Sequence, residues 1–136
     1  MTRRTLIGGI LGILILGMAA PDLWAADIPG AVRQAFASGR AAALDAYLPD
    51  GGRINLAIPA LGINPGTYSK AQASALLRKV FSQYKTVSFS LETNPGALRG
   101  SWVVSDPATG RQKTLTVYVS IEQRDGRAMI TSIRGG

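Results

Sequence analysis

Apolar side chains recur every three or four positions between residues 27 and 48, which is typical of amphipathic helices. Two short helices are therefore predicted there. The first ends near Ser38, because Gly39 follows it, and the second runs over Arg40–Leu48 until Pro49 stops it. The side chains expected to face the core are Val32, Ala35 and Phe36 in the first helix, and Ala41, Leu44 and Leu48 in the second.

A longer helix is predicted to begin after Ser69. The Ser69 hydroxyl can accept a hydrogen bond from the N–H of Gln72, and the Gln72 side chain can reach back to the N–H of Ser69, which is the pattern of a capping box. Apolar residues then recur at helical spacing as far as Tyr84. Because these residues form one continuous apolar face, another layer of the protein must cover it.

The remaining segments alternate between apolar and polar residues, as half-buried strands do. One strand is predicted over Arg53–Pro59, followed by a loop through Asn64-Pro65-Gly66. Four more strands are predicted after the long helix, and they form a meander because turn sequences separate them. Their predicted bounds are Thr86–Thr93, Leu98–Ser105, Arg111–Gln123 and Arg127–Arg134.

The alternation gives the predicted sheet a covered face and a wetter face. Tyr118 lies between apolar positions of the third meander strand, so we expect it to face away from the core, onto solvent or a partner. The side chains expected on the covered face are Val87, Phe89 and Leu91 in the first meander strand, and Leu115, Val117, Val119 and Ile121 in the third.

The first segment has the order of a secretory signal peptide. Two arginines precede an apolar run from Leu6 to Ala20, and small residues follow as far as Ala25. We therefore predict a signal peptide over residues 1–25, a single domain over residues 26–136, and a periplasmic or secreted protein. The apolar run is shorter than the roughly 20 residues that cross a bilayer, so an uncleaved membrane anchor is the alternative.

The chain has no cysteine and no histidine. It therefore lacks thiol nucleophiles, disulfides, the commonest metal ligand and the commonest general base. The carboxylates also lack the spacing of a calcium loop. We expect no metal and no cofactor.

The formal net charge is +7, from 15 Lys and Arg against 8 Asp and Glu. These basic residues are spread along the chain, whereas nucleic-acid surfaces gather them on one face. We therefore expect no nucleic-acid partner, and contact with the membrane only transiently through the signal peptide.

The order of elements resembles the nuclear transport factor 2-like superfamily. More narrowly, the chain is similar to a secreted branch, domain-of-unknown-function family 4783, in which a "YSxxQA" motif opens the long helix. Tyr68, Ser69, Gln72 and Ala73 match this motif. The resemblance implies an α+β, cone-shaped fold (nuclear transport factor 2-like or cystatin-like), with short N-terminal helices and one long helix packed on a curved antiparallel sheet.

The superfamily includes isomerases, dehydratases, cyclases and binding or dimerising modules, so the resemblance selects no activity. A ketosteroid-isomerase-like site would need a carboxylate base and acidic donors facing the cavity. Asp45 and Tyr47 point apart on their helix, and Asp50 lies in a turn. No catalytic residue is therefore predicted.

Aromatic residues are the candidates for a pocket or an interface, and these are Tyr47, Trp102 and Tyr118. Packing inside the core is the alternative for each. The favoured hypothesis is an exported, non-enzymatic envelope module that binds or scaffolds a protein or small-molecule ligand, with a homodimer through the outer sheet faces as the arrangement that the fold implies. The alternative is a small-molecule-binding cavity protein, or a cofactor-free isomerase or hydratase.

Overall fold

The computed structural model describes residues 28–94, 97–124 and 126–136. The signal peptide predicted over residues 1–25 lies outside this part of the chain. Among the described residues, no helix has both the length and the apolar character to cross a membrane.

Two short helical segments come first, as predicted. Helix α1 covers residues 28–38 and is followed by Gly39, whose left-handed backbone (φ 68°) turns the chain. The second segment is a 3-10 helix, η1 (Ala41–Tyr47), so its type is tighter than expected. All the side chains predicted to face the core from these two segments are buried, namely Val32, Ala35, Phe36, Ala41, Leu44 and Leu48.

Helix α2 (Lys70–Gln83) begins with the predicted capping box. Ser69 Oγ accepts a hydrogen bond from the Gln72 N–H at 3.2 Å, and Gln72 Oε1 accepts one from the Ser69 N–H at 3.0 Å. The face of α2 that packs on the rest of the protein buries Ala73, Ser74, Leu77 and Val80.

Six strands form one curved, open sheet in the order β2-β1-β6-β5-β4-β3. Their bounds are Arg53–Ile58 for β1, Ile63–Ser69 for β2, Lys85–Asn94 for β3, Ala97–Ser105 for β4, Gln112–Arg124 for β5 and Arg127–Gly135 for β6. The predicted four-strand meander is confirmed as β3 to β6, since each successive pair is antiparallel. The helices pack on one face of this curved sheet, so the predicted cone-shaped α+β fold is confirmed.

One pair of strands departs from the predicted antiparallel arrangement. β1 lies beside β6 and runs parallel to it, with Leu56 opposite Ile133. No short turn joins these two strands, so the connectivity does not impose the antiparallel direction that a hairpin requires.

The predicted loop through Asn64-Pro65-Gly66 is wrong. These residues belong to β2, which pairs antiparallel with β1 and places Gly66 opposite Leu56. Proline has no N–H to donate, but β2 is an edge strand and has a partner strand on one side only. An Asn-Pro-Gly sequence, which is typical of turns, can therefore form part of this edge strand.

The prediction that Val87 faces the core is also wrong. The pairing of β3 with β4 shifts between Thr86 and Ser88, and this irregularity leaves Val87 52% exposed. An extra residue in one strand changes which side chains point inward. Thr86 points inward instead, where its hydroxyl bonds Phe36 and Trp102, and Phe89 packs against the core as expected.

Candidate binding surface

The concave side of the sheet is occupied by an aromatic cluster. Phe36 of α1 lies at its centre and is fully buried. Its ring centroid is 5.0 Å from that of Phe89, 4.9 Å from that of Trp102 and 5.4 Å from that of Phe81. Aromatic pairs at such distances contribute roughly 0.5–1.5 kcal/mol each beyond the area they bury. The cluster therefore fixes the helices on the sheet from inside the cone.

Trp102, one of the residues predicted for a pocket or interface, lies inside this cluster with no exposed surface. Its Nε1 donates a hydrogen bond to Thr86 Oγ1 at 2.9 Å, and Thr86 Oγ1 donates to the carbonyl of Phe36. The polar atom of the indole is thus satisfied inside the protein. This placement corresponds to core packing, the alternative that the sequence left open.

Tyr47 and Tyr118, the other two predicted residues, lie in different parts of the molecule. Tyr47 is half-buried at the end of η1 and packs against the core. Tyr118 is 49% exposed on β5, on the face opposite to Leu115 and Val117. The structure therefore does not bring the three predicted aromatic residues together at one site.

Two carboxylates, Asp45 and Asp50, line an open groove of about 590 Å³ beside the start of α2. Asp50 accepts a hydrogen bond from the Lys70 ammonium at 2.8 Å. This hydrogen bond and the Lys70 charge lower the pKa of the Asp50 carboxyl below its ordinary value. A carboxylate that acts as a general base near neutral pH has a raised pKa instead, so Asp50 is a poor candidate for that role.

Asp45 is held by a short chain of hydrogen bonds along the groove. It accepts from Ser74 Oγ at 3.0 Å, and Ser74 Oγ accepts from the Arg78 guanidinium at 3.3 Å. These contacts fasten η1 to α2. They also explain why Ser74, a polar residue, is buried on the packed face of the helix.

The outer face of the sheet carries a different combination of side chains. Strand pairing places Tyr118 directly between Arg99 on β4 and Arg134 on β6. We call these three residues the arginine–tyrosine row. Neighbouring strands are about 4.8 Å apart, so the two arginines branch from backbone positions about 10 Å apart, on either side of the tyrosine.

Two shallow depressions adjoin the row and meet at Thr116. One, of about 230 Å³, contains Arg99, and the other, of about 500 Å³, contains Tyr118 and Arg134. Small hydroxyl side chains surround the row and leave the tyrosine ring accessible. They are Ser90, Ser101, Thr116, Ser120 and Ser132.

The two arginines of the row have no acidic partner in the described part of the chain. Over residues 28–94, 97–124 and 126–136, neither Arg99 nor Arg134 has an ion pair or a hydrogen-bond partner for its guanidinium. Glu92 lies across from Arg99 on β3 but does not form an ion pair with it. Both guanidinium groups are therefore available to an incoming anionic group.

Sequence reasoning missed Arg99 and Arg134, because it treated the basic residues as dispersed along the chain. The register of the two hairpins that β5 makes with β4 and β6 brings them together. The alternation of apolar and polar residues in the strands does indicate that both arginines lie on the solvent-exposed face of the sheet. It does not indicate which residues of neighbouring strands lie opposite each other, so it could not show that the two arginines flank Tyr118. Among the described residues, no group of three or more Asp and Glu side chains is arranged to hold a metal ion.

Residues 29–134 match the model of the family described as Domain of unknown function (DUF4783). No curated protein matches the sequence. A solved DUF4783 family protein from Bacteroides uniformis is 20% identical, with a TM-score of 0.62 over 79% of this chain and 94% of that chain.

Two further solved structures share the fold at low identity. One, described as a candidate SnoaL-like polyketide cyclase from Mesorhizobium loti, is 19% identical, with a TM-score of 0.58 over 82% of this chain and 97% of that chain. The other, a chain whose name carries the label NTF2, is 17% identical, with a TM-score of 0.55 over 82% of this chain and 96% of that chain. The chain therefore has the nuclear transport factor 2-like fold and belongs to the DUF4783 family, whose function is unknown.

Proposed function

We propose that the protein is an exported, non-enzymatic binding module of the cell envelope, and that it binds through the outer face of its sheet. The observation that carries this proposal is the position of Tyr118, a large aromatic residue that is 49% exposed between two arginines without an ion pair among the described residues. Tyrosine and arginine are, with tryptophan, the residue types enriched among the side chains that dominate binding at protein interfaces. The rest of the sheet's outer face offers small hydroxyl groups that can donate and accept hydrogen bonds.

The interior of the cone supports the same proposal. Phe36 and Trp102 occupy the space between the helices and the sheet, and the polar atom of Trp102 is already hydrogen-bonded. In the groove, Asp45 and Asp50 are bound to Ser74 and Lys70. These contacts favour binding on the outer face of the sheet over chemistry in the cone or in the groove.

A photo-reactive amino acid placed at Tyr118 tests this function in cells that produce the protein. We expect a covalent adduct with another envelope molecule from position 118, and none from Lys79, an exposed residue of α2. Adducts from Lys79 alone would show that the protein binds through its helices, and adducts from neither position would contradict the proposed function.

Export is a separate part of the proposal and rests on the order of residues 1–25. We expect mass spectrometry of the protein from producing cells to find a chain that starts at Ala26. An intact chain that retains Met1 in the membrane fraction would contradict cleavage and favour the anchor.

A second candidate function is a small-molecule site, or a cofactor-free isomerase or hydratase, in the groove beside α2. Its volume of about 590 Å³ is within the range of ligand pockets. A compound that shifts the NMR signals of Asp45 and Ser74, and that loses affinity in Asp45→Asn, would favour this function over the outer face.

A further inference from the structure

Resting on the proposed function, we infer that the outer face binds an acidic segment of a protein partner across the arginine–tyrosine row. One carboxylate of the segment lies on Arg99 and a second on Arg134, and an apolar or aromatic side chain between them packs on Tyr118.

The two guanidinium groups fit carboxylates. Each is exposed, and the described part of the chain gives neither an anionic partner. A guanidinium presents parallel N–H groups that match the two oxygens of a carboxylate. Side chains at positions i, i+2 and i+4 of an extended peptide lie on the same side, and positions i and i+4 are about 13 Å apart. Because the arginines branch about 10 Å apart and their side chains are long, two carboxylates four residues apart reach both of them, with the residue midway above Tyr118.

Tyr118 supplies the apolar part of the contact. Its ring stands between the arginines and is flanked by Thr116 and Ser120, which are too small to cover it. A tyrosine in such a position buries a large area at a small cost in side-chain entropy. An acidic segment that also carries an aromatic residue is therefore expected to bind more tightly than one that is only acidic.

A second copy of the chain is a poorer occupant of this face. A symmetric pair would bring Arg99 and Arg134 of one copy against the same residues of the other, in a protein whose net charge is already +7. Like charges that meet across an interface oppose association. The homodimer predicted from the sequence is therefore disfavoured by the row.

A nucleic acid is also a poorer occupant. Tight binding of a phosphate backbone takes a series of lysines and arginines along its path. The row offers two arginines, and the Glu92 carboxylate lies at its β3 end. This pattern fits two separated carboxylates better than a continuous line of phosphates.

The test measures binding of three anionic polymers to the protein by calorimetry at low salt. The probes are poly-L-glutamate, the copolymer poly-L-(glutamate, tyrosine), and polygalacturonate, an acidic polysaccharide. We expect the copolymer to bind most tightly. We expect Arg99→Gln combined with Arg134→Gln to weaken its binding by about tenfold.

The matched control is Arg33→Gln combined with Arg111→Gln, which removes the same charge from exposed positions outside the row. It is expected to change affinity by less than about threefold, through the general loss of charge alone. Tyr118→Ala should remove the preference for the copolymer over poly-L-glutamate. Glu92→Gln should raise the affinity, because it removes a negative charge beside Arg99 that repels an acidic probe.

Several results would overturn the inference. Equal losses in the two double variants would show that general charge, not the row, binds the probe. Binding of polygalacturonate alone would assign the face to a polysaccharide, and a dimer in light scattering that Arg99→Gln strengthens would assign it to a second copy. Adducts at position 118 in cells, without row-dependent binding of the copolymer, would overturn this inference and leave the proposed function standing.

Discussion

At the scale of single residues, Thr86 connects three elements through one hydroxyl group. It accepts a hydrogen bond from Trp102 on β4 and donates one to the carbonyl of Phe36 in α1. A buried polar group that loses its partner costs about 1–3 kcal/mol. The Thr86 side chain therefore links helix α1 to β3 and β4, the two strands that carry Phe89 and Trp102 of the aromatic cluster.

Thr86→Val removes this hydroxyl and keeps the shape of the side chain. We expect the free energy of unfolding to fall by roughly 2–4 kcal/mol, because both the indole N–H and the carbonyl lose a partner. Urea denaturation measures this change in the free energy of unfolding. Thr86→Ser keeps the hydroxyl and should lose less than half as much, so equal losses in the two variants would show that the hydrogen bonds are not the cause.

Gly100 is required by close packing. A Cβ at this position would lie 2.8 Å from Cζ of Phe89 and 3.0 Å from the carbonyl oxygen of Ser90. We expect Gly100→Ala to lower the free energy of unfolding by about 1–3 kcal/mol, since the Phe89 ring must move against Phe36. In contrast, Gly30 in α1 has open space around it, so Gly30→Ala should leave thermal stability unchanged or slightly raised. A thermal shift of equal size and sign in the two variants would contradict this explanation.

At the scale of the elements, the sequence predicts best where local chemistry decides the structure. The capping box at Ser69, the stop before Gly39 and the four meander strands all depend on residues close together in the chain. The missed strand β2 and the bulge at Val87 depend on neighbours that only the folded sheet supplies. Edge position and register are set by tertiary pairing, which one sequence does not display.

The capping box gives a test at this scale. Ser69→Ala removes the oxygen that accepts from the Gln72 N–H, and we expect a loss of about 0.5–2 kcal/mol in the free energy of unfolding. Ser82→Ala is the control, because that exposed serine lies near the other end of α2 and its hydroxyl donates to the Lys79 carbonyl of the same helix. If the two variants unfold at the same urea concentration, the cap does not stabilise the protein.

At the scale of the whole molecule, β6 joins the two parts of the sheet. It pairs in parallel with β1 on one side and antiparallel with β5 on the other. The candidate surface depends on the same strand, since Arg134 belongs to β6 while Tyr118 and Arg99 belong to β5 and β4. The alternation of apolar and polar residues predicts that Tyr118 is exposed. Its neighbours Arg99 and Arg134 can be identified only from the pairing of β4, β5 and β6.

Ile133 lies between Leu56 of β1 and Val119 of β5 and has no exposed surface. We expect Ile133→Ala to lower the free energy of unfolding by about 2–5 kcal/mol through the cavity it leaves. Trp102 fluorescence and far-ultraviolet circular dichroism should still report one coincident transition, because the two parts of the sheet share this core. Two separate transitions would show that the β1–β2 pair unfolds on its own.

The central position of β6 also has a consequence for how the chain is made. The hairpin over residues 53–69 emerges from the ribosome early, yet its inner neighbour is not synthesised until residues 127–135. Because β6 is the last element to be made, the sheet stays incomplete through most of translation. This late closure is compatible with the export that we propose, because a chain whose sheet is still open can be threaded, extended, through a narrow channel.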